Sequence, residues 1–120
     1  MPEPSELDPE TVVSPEDGKI ITLARSARAR IQAAEGAAVR DTDGRTYAAA
    51  TVTLPSFSAT ALQAAVAAAV SSGAEGIEAA AVVLADGALG PESVQVVRDI
   101  AEQAPIFVAD PSGVVREVLS

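Results

Sequence analysis

Glu92 and Gln95 stand three residues apart just after the turn Gly90-Pro91, and Asp86 lies a few residues upstream at the end of an apolar run. Oxygen donors gathered in this way point to a hard cation such as Mg²⁺ or Ca²⁺, which takes several oxygen ligands. A simpler reading is preferred. Glu92 complements the positive end of a helix opened by Pro91, Gln95 is solvated, and Asp86 beside Gly87 is turn chemistry. The carboxyl end of a strand in an open sheet is nevertheless also where ligands bind, which keeps Asp86 as a candidate. Ser58 and Thr60 open a second helix, whose unpaired backbone N–H groups can hold an anion; N-capping accounts for them equally well. No glycine-rich phosphate loop follows a strand, and no two carboxylates stand at a spacing suited to acid–base work.

Two absences bound the chemistry further. The 120 residues include no cysteine and no histidine. A disulfide, a thiolate nucleophile and a Ser-His-Asp arrangement are therefore excluded, as is zinc bound through nitrogen and sulfur. Lys19 is the single lysine, so a Schiff base would have to form there. A net charge of −9 argues against nucleic acid or an anionic membrane surface as partner, since phosphate recognition needs clustered positive charge. No apolar run approaches the ~20 residues of a membrane span. The start MPEPSELDPE lacks the basic and apolar regions of a signal peptide, which leads us to expect a cytoplasmic protein.

Particular elements must position these residues. Residues 1–13 are acidic and proline-rich, and are expected to be a disordered tail ahead of one domain over 14–120. Ser14-Pro15-Glu16-Asp17 is a helix start, with an N-cap, proline in the first turn and acidic residues at the dipole's positive end. Ile20, Ala24, Ala27, Ile31 and Ala34 follow at helical spacing, and Gly36 is expected to end the element. Arg25, Arg28 and Arg30 fall mainly off that stripe and read as a solvated face. Strands near 36–41 and 45–53 flank Asp43-Gly44, a hairpin signal. A second helix, over 58–72, has almost no polar surface and must be buried on more than one side. The continuous apolar run IEAAAVVLA is expected to be a central strand covered on both faces. A third helix runs from Pro91 to about Gln103, followed by strands at IFVA and VVREVL. The order predicts an α/β fold, a three-layer α/β/α sandwich around a mixed five-stranded sheet.

This order, with particular words at particular places, resembles the cytidine deaminase family. EGAAVRDTDGRTYAAATVT is similar to the family's first hairpin. SFSATALQAAVAAAVSSG is similar to the helix that in active members begins T-x-C-A-E or T-x-H-A-E. IEAAAVVLADGALGPESVQVVRDIAEQAP aligns with the central strand, the P-C-x-x-C word and the third helix, and IFVADPSGVVREVLS with the last two strands. The resemblance spans about residues 16 to 119. In the family, the first zinc ligand and a glutamate lie two residues apart at one helix start, and two cysteines at the next helix start complete the site. The metal activates water and the glutamate moves protons to the base.

Carried over residue by residue, the first ligand position falls on Leu62, the glutamate on Ala64 and the cysteines on Glu92 and Gln95. The ribose-binding positions fall on Thr51 and Thr53, and the aromatic residue that packs on the base falls on Ala33. The resemblance thus implies the fold without the deaminase site: no catalytic residues, no metal and no cofactor. The expected function is that of a non-catalytic homologue acting as an interaction or scaffold module. Its apolar second helix, Ala64 to Val70, implies a homo-oligomer, dimer or tetramer, with a further protein partner possible. Two other readings stay open. One is a binding protein with a narrowed nucleoside-like pocket, using Thr51, Thr53, Thr60 or Asp86. The other is an enzyme of zinc-independent chemistry using Glu92, Asp86 or Thr60.

Overall fold

A computed structural model describes residues 13–120. The tail expected over 1–13 lies outside the described residues except for Val13, which packs against the first helix's core. That helix, α1, spans Pro15–Ile31; the Ser14 hydroxyl accepts from the Asp17 N–H at 3.1 Å, and Pro15 occupies the first turn. Its end differs from expectation. Gln32, in the left-handed conformation (φ 51°, ψ 45°), stops the helix four residues before Gly36. Gly36 instead lies within the first strand, where a side chain would run into the backbone of the helix.

Strand β1 (Glu35–Asp41) and β2 (Thr46–Ala50) form the expected hairpin, paired from Gly36–Ala50 to Arg40–Thr46. Asp41 organises the turn from a buried position, accepting from the N–H groups of Asp43 and Arg45 and from the Tyr47 hydroxyl. The second strand was expected to run to 53, but it leaves the sheet at Thr51. Strands β3 (Val52–Leu54) and β4 (Phe57–Ala59) then pair with each other as a separate ribbon. Helix α2 consequently starts three residues later than expected and spans Ala61–Ser71. Strand β5 (Ile77–Leu84) is the central strand, and helix α3 covers Pro91–Ile100, ending short of Gln103. Strands β6 (Ile106–Ala109) and β7 (Val115–Leu119) complete the chain.

The main sheet has the order β2-β1-β5-β6-β7, antiparallel throughout except for the parallel pair β5–β6. Helix α1 covers one face, setting Ile20, Ile21 and Ala24 against Ala38, Ala79, Ala81, Val83 and Phe107. Helices α2 and α3 cover the other, where Leu62, Val66 and Val97 meet Val39, Val82, Ile106 and Val108. This is the three-layer α/β/α sandwich with a mixed five-stranded sheet. Alternate residues of β5 serve the two faces, which explains its unbroken apolar run. Alanine and valine dominate both interfaces, so each side chain buries little area and the layers must approach closely. Arg40 ties the layers electrostatically, bridging Asp17 on α1 and Glu78 on β5.

Two turn carboxylates are held below their ordinary range by the groups that bond them. At Asp110 the Ser112 hydroxyl donates to the carboxylate, and Arg116 and the Val114 N–H add to it; together they overcome burial and hold its pKa down to about 2, from an ordinary 3.8. At Asp41 burial pushes the pKa up, but the bonds from Arg45, Tyr47 and Asp43 outweigh it and the net direction is down. A lowered carboxylate pKa contributes stability that is complete above the unfolded value and lost as pH falls through the folded one. Thermal melts followed by circular dichroism should therefore show a midpoint that falls steadily between about pH 4 and pH 2. The fall should be shallower for Asp110→Asn. A parent midpoint constant across that window would contradict this assignment.

Candidate functional site

The starts of α2 and α3 meet beside the base of the β3–β4 ribbon. Thr60 caps α2 in a reciprocal arrangement: its hydroxyl accepts from the Gln63 N–H at 3.2 Å, and the Gln63 side chain accepts from the Thr60 N–H at 2.9 Å. The Thr-x-x-Gln word produces this capping box. A third oxygen reaches the same helix end, where Glu35 accepts from the Ala61 N–H at 3.3 Å. Thr51 fixes the other side of Glu35, its hydroxyl accepting from the Glu35 N–H at 3.1 Å. Where the strand leaves the sheet, then, Thr51 and Glu35 hold the backbone in place of further ladder pairing.

Ser93 joins the two helices. It is fully buried, and its hydroxyl donates to the Thr60 hydroxyl at 2.8 Å. Ser93 and Val97, one turn apart, are the buried residues of α3. Ser93 is thus the residue of α3 that faces the start of α2. The sequence reading missed it, because a serine on an otherwise apolar stripe gives no signal of its own; only its i, i+4 spacing with Val97 marks the position.

A shallow depression of about 390 Å³ opens next to this junction, with Thr51, Thr53, Ser58, Thr60, Gln63 and Glu92 as its polar lining. Five of the residues singled out in the sequence, Thr51, Thr53, Ser58, Thr60 and Glu92, therefore come together. The others do not. Leu62 is fully buried in the α2–α3 core, and Ala64 is half-buried on α2. Gln95 is exposed and donates to Asp99 at 2.8 Å along α3. Asp86 is exposed beyond β5 and lines a separate cleft of about 190 Å³ with Asp110 and Arg116. Ala33 belongs to the α1–β1 connection, where its N–H donates to the Arg28 carbonyl, and it does not line the depression. Glu92 folds its carboxylate back over Gly90, so closely that a Cβ at Gly90 would stand 1.8 Å from it. That position places negative charge at the start of α3, as the dipole favours.

A five-stranded mixed sheet between one helix and two, with two helix starts meeting at one end, defines the cytidine deaminase-like class of α/β fold. The chain belongs to the cytidine deaminase-like family, whose model matches residues 13–113. Among solved structures it is similar to the cytidine deaminase from Burkholderia pseudomallei, with 23% identity over 85% of this chain and 90% of that one and a TM-score of 0.74. It is also similar to the cytidine deaminase from Mycobacterium leprae, with 18% identity, 84% and 89% coverage and a TM-score of 0.65. A mutant cytidine deaminase from Mycobacterium tuberculosis matches with 22% identity, 82% and 88% coverage and a TM-score of 0.63. At these identities the likeness is one of fold. No curated protein matches the chain in sequence.

The family implies zinc, and the residues at the helix junction do not fit it. Zinc in such sites is held by thiolate and imidazole. Here the junction presents the apolar Leu62, two hydroxyls bonded to each other, and the carboxylates of Glu92 and of Glu35, which accepts from the Ala61 N–H; none of these is a thiolate or an imidazole. The chain contains no cysteine or histidine to add. Among the described residues no three potential metal ligands cluster, and no helix is long and apolar enough to cross a membrane.

Proposed function

We propose that this chain is a non-catalytic cytidine deaminase-like protein that acts as an oligomeric interaction module. The observation that carries the reading is the closed junction between α2 and α3. Zinc-dependent deamination needs a metal-activated water and a carboxylate to shuttle its proton. The Thr60–Ser93 bond and the buried Leu62 supply neither, and Ala64 has no proton to move. Purified protein is expected to carry no stoichiometric zinc by elemental analysis and to leave cytidine unchanged. About one zinc per chain, or cytidine turnover above the blank, would overturn the reading.

The outer side of α2 supports the oligomeric part. The helix carries no charged residue, Ala67 and Ala68 face solvent, and Val70 is 52% exposed. Leu54 and Phe57, paired on the nearby ribbon, are also more than half exposed. Apolar surface of this kind is usually covered by a partner surface. Light scattering is expected to give the mass of a dimer or tetramer, and a monomer at micromolar concentration would refute it.

The polar lining of the depression favours a second reading, a binding site for a small nucleoside-like ligand. Binding to the folded state raises the melting temperature by mass action. A panel of nucleosides should leave the melting temperature unmoved if the first reading holds, whereas a saturable rise would select the second.

A further inference from the structure

The sequence contains three Asp-Gly pairs, Asp17-Gly18, Asp43-Gly44 and Asp86-Gly87, and no asparagine. An aspartate followed by glycine can close into a ring, because a glycine nitrogen with no Cβ beside it is free to approach the γ-carboxyl carbon of the residue before. Closure requires the aspartate ψ to rotate until that carbon faces the nitrogen, and it requires an N–H that is not already donated. The fold withholds both from two of the pairs. Gly18 lies within α1 and donates to the Ser14 carbonyl at 2.8 Å, while Arg40 holds the Asp17 carboxylate at 3.0 Å. Gly44 donates to the Asp41 carbonyl at 3.0 Å, and the flanking N–H groups of Asp43 and Arg45 are both bonded to the Asp41 carboxylate.

Asp86-Gly87 is differently placed. Both residues are exposed, in the connection between β5 and α3. That connection is anchored at Ala85, whose N–H donates to the Ala34 carbonyl at 3.0 Å, and at Gly90, the N-cap of α3. Between the anchors, the N–H groups of residues 86–89 have no backbone acceptor among the described residues. The nearby Asp110 carboxylate is taken up by Ser112, Val114 and Arg116. A Cβ on Gly87 would meet nothing within 4 Å, so the space around this residue is open.

We propose that Asp86-Gly87 is a modification site at which the main chain of the folded protein isomerises to isoaspartate through a succinimide, while the other two pairs are held back. The Gly87 nitrogen bonds to the Asp86 γ-carbon, and its proton leaves with the carboxyl OH as one water. Water then returns to either imide carbonyl and breaks the C–N bond there. Opening at the γ-carbon restores aspartate; opening at the α-carbonyl leaves the chain running through the β-carbon, with the α-carboxylate free. No atom is gained or lost and the charge is unchanged. The product lengthens the main chain by one methylene between Ala85 and Gly90 and moves a carboxylate in the cleft that Asp86 shares with Asp110 and Arg116. This reading is independent of the function proposed above.

The test is incubation of the full-length folded protein in H₂¹⁸O at neutral pH, followed by tryptic digestion in ordinary water. Hydrolysis of a succinimide places an oxygen-18 in the residue. The three pairs fall in separate peptides, residues 1–19, 41–45 and 46–98, and Asp86 is the one aspartate of the last. Peptide 46–98 should gain the label and a second chromatographic form, and the other two should label roughly tenfold or more slowly, since a hydrogen bond must first open. In urea all three should label, which shows that the fold makes the difference. Asp86→Glu, whose ring would need six members, keeps the charge and should abolish labelling of peptide 46–98. Equal labelling of the three peptides in the folded protein would overturn the proposal. So would label in peptide 46–98 that survives Asp86→Glu, or that appears in urea alone.

Discussion

Replacing Gly36 by alanine will lower stability by about 2–3 kcal/mol, the upper part of the range for overpacking a close-packed interface. A Cβ at this position would stand 2.1 Å from the Ala24 carbonyl oxygen, 2.6 Å from the Arg28 nitrogen and 2.7 Å from the Arg28 Cβ. Two of these are helix backbone atoms, which cannot rotate away. The helix must lift from β1, and Ile20, Ile21 and Ala24 then lose contact with Ala38, Ala79 and Ala81. Alanine also reduces the freedom of the unfolded chain, a gain of about 0.4–1 kcal/mol that the clash outweighs. Gly18 is the control. It lies within α1, and a Cβ there would meet nothing within 4 Å. Gly18→Ala should therefore stabilise by about 0.5–1 kcal/mol, the ordinary difference between the two residues inside a helix. Urea unfolding midpoints at constant m-value measure both. A Gly36→Ala midpoint equal to or above that of the parent would show that α1 is not seated on β1 in this way.

Gly36 also marks where the sequence could be read and where it could not. Local signals placed the elements well: Ser14-Pro15 at the start of α1, Asp43-Gly44 in the hairpin, Pro91 at α3 and the apolar run of β5 all act within a few residues. The glycine after a helical stripe looked like a terminator, yet Gln32 takes the left-handed conformation. The demand on Gly36 comes from the closeness of two layers, which no local pattern expresses. Likewise, Phe57-Ser58-Ala59 precedes an alanine-rich helix and reads as its first turn. Pairing of Val52–Leu54 with Phe57–Ala59 makes it a strand, and the Thr60-x-x-Gln63 word was the legible sign that the helix starts later. The candidate site followed the same rule. Thr51 and Thr53 were found through the family resemblance, Thr60 and Glu92 also through the helix starts at which they stand, and the four meet in one depression, whereas Glu35 and Ser93 act through tertiary contacts that neither signal reaches.

The Thr60–Ser93 bond yields the second large effect, and its asymmetry tests how the helix junction is held. Thr60→Val removes the hydroxyl that caps α2 and accepts from Ser93. Losing the cap costs about 0.5–2 kcal/mol. The Ser93 hydroxyl, fully buried, is then left without an acceptor, which adds about 1–3 kcal/mol. The sum is about 2–4 kcal/mol, allowing for the apolar contact that valine gains. Ser93→Ala alone should cost only about 1 kcal/mol, because the Thr60 hydroxyl keeps the Gln63 N–H as its partner and no buried group is orphaned. The double variant Thr60→Val, Ser93→Ala should then be more stable than Thr60→Val by itself, since it removes the stranded donor. Thr60→Ser, which retains both bonds, should stay close to the parent. Unfolding midpoints for the four proteins form a double-mutant cycle whose coupling energy isolates the bond. Additive costs, with the double variant less stable than either single one, would mean that the two hydroxyls act separately and that packing around Leu62, rather than this bond, closes the junction.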